Sequence, residues 1–314
     1  MKTLKFNNGD KMPAIGLGTW KSGKDEVGKA VKIALNHGYR HIDCAATYGN
    51  EAEIGEAFSD FFSTGRIKRE EVWITSKLWN NAHKKEDVIP ALKKTLQDLQ
   101  LSYIDLYLIH WPVAFKPGVE FPKNDDEYLS LEEAPIIETW EMMLQAKEEG
   151  LIKHVGVSNF SIPKLKELME KTDSNPEINQ VELHPYLQQN ELLYFCKKNK
   201  IHLTAYAPLG SGDRADVLKA ANEPSLLENE VIKKIAHKHS ASPGQILINW
   251  NVLRDTAVIP KSTREKHIKE NLQSTDVELD KNDLEQIATL DKGFRYITGR
   301  FFVTEGNTYE DIFG

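Results

Sequence analysis

From Ala14 onward the chain alternates between short apolar runs and longer amphipathic stretches. The apolar runs fall at residues 15–17, 40–42, 72–78, 104–110, 155–157, 179–181, 202–206 and 257–259, eight in all. Between them, buried-type residues recur three and four positions apart. Val27, Ala30, Val31 and Ala34 form one such set, and Val88, Leu92, Thr95, Leu96 and Leu99 another. Ile136, Trp140, Met143 and Leu144 predict a helix stopped at Gly150, and Leu165, Leu168 and Met169 predict the next. That spacing places each set on one face of an α-helix. Apolar strands alternating with helices imply a parallel sheet covered by helices. Eight such units in 314 residues predict a closed (β/α)8 barrel of the TIM type, as a single domain over residues 1–314. Ahead of it, residues 4–13 read as a short N-terminal β-hairpin turning at Asn7-Asn8-Gly9-Asp10. Three connections are long: roughly residues 111–133, roughly 210–228, and the tail after Asp291. The first two follow strand ends, on the C-terminal face where barrels carry their active sites.

Composition narrows the class further. Forty Lys and Arg against 47 Asp and Glu give a formal charge of −7, with no basic stripe to suit nucleic acid or an anionic membrane. Apolar residues make up 40% and charged residues 28%, which argues for a globular core rather than disorder. No apolar run approaches a membrane span and no signal core opens the chain, so a cytoplasmic protein is expected. Cys44 and Cys196 cannot build a disulfide framework or a zinc cluster and read as structural, reduced thiols. Gly16-Leu17-Gly18 begins like a dinucleotide fingerprint, but the third glycine is missing and Asp43 comes too late for the acidic partner.

The informative polar residues sit at the predicted strand ends. Asp43 ends the second run, with Tyr48 five residues on; Lys77 lies near the end of the third, and His110 ends the fourth. A phenol with its ordinary pKa of about 10 is a poor acid near neutrality. A neighbouring ammonium favours the phenolate and lowers that value, and a carboxylate keeps the ammonium charged and in place. A histidine beside the phenol can orient a substrate oxygen. Tyr48 activated by Lys77, with Lys77 held by Asp43, would protonate a carbonyl oxygen while hydride reaches its carbon.

With these residues in place the chain resembles the aldo-keto reductase family over essentially its whole length. The resemblance rests on GLGTW at residues 16–20, GYRHIDCAATYGNE at 38–51, ITSKLW at 74–79 and DLYLIHWP at 105–112. It continues with GVSNF at 156–160, QVELHP at 180–185, AYAPLG at 205–210 and IPKST at 259–263. It implies an NAD(P)H-dependent reductase of aldehydes, ketones or sugars, with a catalytic tetrad of Asp43, Tyr48, Lys77 and His110. It also implies a cofactor site in which Ser158, Asn159 and Gln180 hold the nicotinamide carboxamide and Tyr206 stacks on the ring. Gly18, Thr19, Trp20, Asp43 and Ala207 are implied contacts, and Leu209, Ser211 and Asp213 belong to a loop resembling the one that folds over the pyrophosphate. Lys261, Ser262 and Thr263 resemble the site for the adenosine 2′-phosphate, and Glu270 and Asn271 match adenine-contacting positions.

One departure bears on the cofactor. Where many members have an arginine six residues after the lysine, this chain has His267, with Arg264 closer in. An imidazole is mostly neutral above its usual pKa of about 6.5. NADP(H) is therefore the expected preference, with NAD(H) possible as well. Trp20, Tyr48, Trp79, His110, Trp111, Phe115 and Phe301, with Phe302, are expected to shape an aromatic cup for the substrate. Two rival readings remain at this point. Some relatives bind the cofactor without turnover, and a metal-dependent barrel hydrolase would use His41, Asp43, His110 and His184 as ligands. His184 itself reads more readily as a structural residue. The expected partners are a small carbonyl compound and the cofactor, with no nucleic acid, membrane or disulfide partner.

Overall fold

A computed structural model describes residues 2–220, 222–305 and 312–313. β1 (Thr3–Lys5) and β2 (Lys11–Pro13) pair antiparallel, Leu4 opposite Met12. Gly9, at φ +94°, makes the turn in a region that L side chains rarely adopt. Next come β3 (Leu17–Gly18), β4 (His41–Asp43), β5 (Trp73–Leu78) and β6 (Ile104–Ile109). A short antiparallel pair, β7 (Ala114–Phe115) and β8 (Tyr128–Leu129), interrupts the series. The series resumes with β9 (Ile152–Ser158), β10 (Ile178–Glu182), β11 (His202–Tyr206) and β12 (Ala257–Val258). Eight strands form one parallel sheet in the order β3-β4-β5-β6-β9-β10-β11-β12. Its outer strands meet: Gly16 N–H donates to Val258 O at 2.9 Å, Val258 N–H to Ala14 O at 2.7 Å and Gly18 N–H to Pro260 O at 3.1 Å. The fold is the expected (β/α)8 barrel.

Close packing explains the glycine pair. A Cβ on Gly18 would lie 2.6 Å from Ile259 O, and one on Gly16 2.7 Å from His41 Nδ1. Gly18 lets the first and last strands approach, and Gly16 leaves room for the His41 ring of the neighbouring strand, so the likeness to a dinucleotide fingerprint arises from barrel packing.

Ten helices lie among the described residues: α1 (Val27–Asn36), α2 (Glu51–Ser63), α3 (Lys85–Asp98), α4 (Ile136–Glu148), α5 (Ile162–Thr172), α6 (Asn190–Lys198), α7 (Glu230–Lys238), α8 (Pro243–Leu253), α9 (Glu265–Leu272) and α10 (Lys281–Ala288). The periodic residues of α1 and α3 are buried as their spacing predicts, and Gly150, at φ +76°, follows the end of α4. α8 opens with a capping box: Ser242 Oγ accepts from Gln245 N–H while Gln245 Oε1 accepts from Ser242 N–H.

Leu4, Phe6 and Met12 of the hairpin pack with Trp73, Leu106, Leu108, Ile178 and Ala257, closing the N-terminal end of the barrel. The opposite mouth carries the long connections. The first contains β7 and β8, the second a single turn at Asp216–Leu218, and the tail a turn at Arg300–Phe302. Residues 306–311 and 314 of that tail lie outside the described residues. Among the described residues no helix is long and apolar enough to cross a membrane.

Candidate active site

Register across the barrel brings the strand-end residues together. Asp43 is the last residue of β4, Lys77 lies one residue before the end of β5, and His110 follows β6 directly. Tyr48 ends a one-turn helix, Ala46–Tyr48, that Gly49 stops at φ +66°. Lys77 is fully buried. Its Nζ donates to Asp43 Oδ1 at 2.5 Å and to Cys44 O at 2.8 Å, and lies 3.4 Å from Tyr48 Oη. Asp43 is held in turn: Gln180 Nε2 donates to its Oδ2 at 2.8 Å, and Thr19 Oγ1 donates to its backbone O at 2.8 Å. The His110 ring meets the Tyr48 ring edge-on, centroids 5.9 Å apart. The sequence therefore brings Asp43, Tyr48, Lys77 and His110 into one cluster.

The electrostatics correct one expectation. Burial pushes the Tyr48 phenol up to about 12, with Lys77 pulling down and Asp43 adding to the rise. Without ligand, desolvation therefore outweighs the ammonium, and the phenol lies above its ordinary value instead of below it. Burial works against the Lys77 charge too, but Asp43 and Tyr48 more than offset it, and its pKa ends above that of an ordinary lysine. Burial, then repulsion from Lys77, holds His110 well below the usual imidazole value, so the ring is neutral. Its Nδ1 is buried without a partner. A stranded N–H is costlier than a stranded ring nitrogen lone pair, which favours the tautomer protonated on Nε2.

A second group lines the next strand ends. Ser158 Oγ donates to Gln180 O at 2.8 Å, and Asn159 Nδ2 donates to His110 O at 3.0 Å and to Ser158 Oγ at 3.1 Å. Tyr206 Oη donates to Asn159 Oδ1 at 2.7 Å. Ser158, Asn159, Gln180 and Tyr206 thus form one hydrogen-bonded group contiguous with Asp43 and His110, offering donors and acceptors of the kind an amide ligand needs.

Across the mouth, Lys21 pairs with Asp213 and donates to Ser211 Oγ at 2.8 Å, while Lys261 lies 3.3 Å from Asp213 Oδ2. Burial lowers the pKa of Lys21, with Asp213 opposing and Lys261 adding repulsion. Two ammonium groups against one carboxylate leave surplus positive charge, which suits a phosphate-bearing ligand and fits the implied dinucleotide. Lys21 was not singled out from the sequence: its partner stands 192 residues away, beyond any local pattern. Gly18 bridges to Lys261 across the seam; Thr19 is buried, and Ala207, Leu209 and Ser211 are half-buried. Ser262 and Asn271 are buried, Thr263 and Glu270 half-buried, and Arg264 and His267 exposed.

The aromatic residues gather as expected, with a difference in depth. Trp79, Trp111, Phe115, Phe302 and Ile297 form one cluster, against which Trp20 and Tyr206 pack. Trp79, Trp111, Phe115 and Phe302 are all buried, whereas Phe301 is exposed and meets Trp111 edge-on at 5.8 Å. His41 is spent on Pro13 O through Nδ1 at 3.0 Å, and His184 on Glu182 Oε1 at 2.8 Å. Among the described residues no group of three or more His, Cys, Asp or Glu can hold a metal ion. Cys44 and Cys196 are buried and unpaired with each other.

Eight parallel strands closed on themselves, with a buried carboxylate, ammonium and imidazole and a half-buried phenol near their C-terminal ends, define a barrel of the enzyme type. The chain matches the Aldo/keto reductase family over residues 14–292. It is 50% identical over 309 residues to an aldo/keto reductase of Synechocystis sp., covering 98% of this chain and 94% of that relative. It is 48% identical over 292 residues to aldo-keto reductase family 1 member A1 of Gallus gallus, covering 92% and 89%. The corresponding protein of Cricetulus griseus is 47% identical over 294 residues, covering 93% and 90%. The chain belongs to the aldo-keto reductase family and is an oxidoreductase.

Proposed function

We propose that this protein is an NAD(P)H-dependent reductase of small aldehydes, ketones or sugars, working as a single cytoplasmic domain, with Tyr48 as proton donor. The observation that carries the reading is the buried Asp43–Lys77 pair in reach of Tyr48 and beside a neutral His110. When bound, NAD(P)H supplies the hydride. Every other part of the reaction falls to side chains. His110, donating through Nε2, orients the carbonyl oxygen. Tyr48 Oη holds the proton that this oxygen takes up as it gains charge. A phenol at about 12 stays loaded throughout the neutral range, and an alkoxide is a stronger base, so transfer still runs downhill. Lys77 stabilises the phenolate left behind, and Asp43 keeps Lys77 in place.

For the cofactor, Ser158, Asn159 and Gln180 hold the carboxamide and Tyr206 stacks on the ring. Lys261, Ser262 and Thr263 take the 2′-phosphate, and Glu270 and Asn271 take the adenine. Trp20, Trp79, Trp111 and Phe301 offer apolar contact to the substrate, and their flat faces suit an aryl or short-chain carbonyl. The test is NADPH oxidation with a panel of aldehydes, ketoses and uronates. Turnover that Tyr48→Phe abolishes supports the reading. Tight cofactor binding without turnover on any member of the panel overturns it in favour of a non-catalytic cofactor-binding protein.

A further inference from the structure

Behind the barrel wall that carries Lys77 lies a second buried polar cluster. Side chains alternate along a strand, so Ser76 faces outward where Lys77 faces in. Tyr107 is Ser76's partner across the β5–β6 pair. Ser76 Oγ donates to Glu51 Oε1 at 2.5 Å. Glu51 opens α2, is 4% exposed, and lies only three residues beyond Tyr48. The segment carrying Tyr48 is thus pinned on two sides: Asn50 Nδ2 donates to Thr19 O at 3.0 Å, next to the barrel seam, and Glu51 holds β5. A cavity of about 310 Å³, lined among others by Ala46, Gly49, Glu51, Thr95 and Tyr107, lies under the Tyr48 turn. The turn borders it at Ala46 and Gly49, while Tyr48 itself packs on the Trp20 and His110 rings. The Tyr48 Oη to Lys77 Nζ separation of 3.4 Å joins two elements that the Glu51–Ser76 hydrogen bond also ties, with Thr95 of α3 bonding the same carboxyl.

We propose that Glu51 and Ser76 are positioning residues that set the separation of Tyr48 from Lys77, and so the rate of proton delivery. This rests on the reductase reading above. Glu51 touches no reacting atom; it acts by fixing the start of α2 against β5. What the tie requires of Glu51 is an acceptor. Burial pushes its carboxyl up to about 7, so near neutrality the neutral form is well populated. Glutamine therefore reproduces both its shape and its acceptor.

The experiment compares Ser76→Ala, Glu51→Leu, Glu51→Gln and the Ser76→Ala/Glu51→Leu double variant. It measures kcat for aldehyde reduction at saturating NADPH, together with the Kd of NADPH by fluorescence. Displacing a reacting group by a fraction of an ångström to 1 Å costs about ten- to a hundredfold in rate. Ser76→Ala and Glu51→Leu are each expected to lower kcat by about tenfold with Kd unchanged, and the double variant to be no worse than Glu51→Leu alone. Glu51→Gln is expected to recover most of the rate. An unchanged kcat in Ser76→Ala, a matching loss of NADPH affinity, or a double variant that loses the product of both single effects would each overturn the proposal. If the wild type reduces no carbonyl, the functional reading fails instead. The tie is then judged by the 13Cζ resonance of Tyr48, identified by its loss in Tyr48→Phe. A shift of that signal in Ser76→Ala supports the tie, and an unmoved signal overturns it.

Discussion

Tyr48 combines two demands that pull apart. Burial keeps its proton on, and Lys77 makes the resulting phenolate tolerable. Replacing the phenol with a benzene ring removes the proton and leaves the shape. Tyr48→Phe is therefore expected to lower kcat by at least about 10²–10⁴, the usual worth of general-acid catalysis, while NADPH affinity stays near wild type. Stopped-flow reduction and cofactor titration check both halves, and near-wild-type turnover would remove Tyr48 from the mechanism. Lys77→Met acts differently, because it strands Asp43, which is 1% exposed. Removing one partner of a buried pair costs about 3–5 kcal/mol, so this variant should lose both rate and thermal stability. Lys77 pulls the Tyr48 pKa down. In the variant any alkaline fall in rate should therefore move to higher pH, and a fall moving to lower pH would contradict the pairing. These four residues were legible in the sequence because each sits at or just past a strand end. The rise in the Tyr48 pKa was not, because desolvation depends on neighbours that spacing alone does not reveal.

At the scale of elements, the strand–helix alternation located the barrel because buried strands and amphipathic helices carry different periods. The outer strands came out short, since Leu17–Gly18 and Ala257–Val258 meet through separate bridges at a glycine-lined seam. The β7–β8 pair was not legible: each strand has only two residues, too few to show a period. Nor did the sequence mark Glu51 as more than part of a motif, because an acidic residue in a first helical turn is ordinarily solvated. Its burial has a measurable consequence. In the unfolded chain a glutamate titrates near 4.3, and in the fold burial pushes Glu51 up to about 7. The folded state therefore binds the extra proton between these values, and stability falls as pH rises through that window. Relative to wild type, Glu51→Gln should be near neutral in stability below about pH 4 and stabilising by up to about 3 kcal/mol above pH 7. Urea denaturation at pH 4, 6 and 8 reads this directly, and a stability difference that is flat with pH would show that the carboxyl keeps an ordinary pKa.

At the scale of the whole molecule, the cofactor reading depends on groups from distant parts of the chain meeting over the barrel mouth. Lys21 follows the first barrel strand, Asp213 lies in the loop after β11, and Lys261 stands just past β12; the three meet through the pairs with Asp213. Lys261 therefore already has a partner before any phosphate arrives, and a 2′-phosphate must compete with a half-exposed carboxylate for it. A charged hydrogen bond of this kind is worth about 1.5–3 kcal/mol, or roughly one to two decades of affinity, and the competition places the expectation toward the lower end. Lys261→Ala should thus weaken NADPH about tenfold and leave NADH nearly unchanged, because NADH has no group for that ammonium to read. His267 is exposed on α9, six residues on. A ring N–H there can donate to a 2′-phosphate, so His267→Ala is expected to weaken NADPH more than NADH. Fluorescence titration of both cofactors into wild type, Lys261→Ala and His267→Ala separates the two contributions. Equal weakening of NADPH and NADH in Lys261→Ala would show that the lysine does not recognise the 2′-phosphate. Equal affinities for NADPH in wild type and His267→Ala would make His267 a bystander and leave Lys261, Ser262 and Thr263 as the whole of the phosphate recognition.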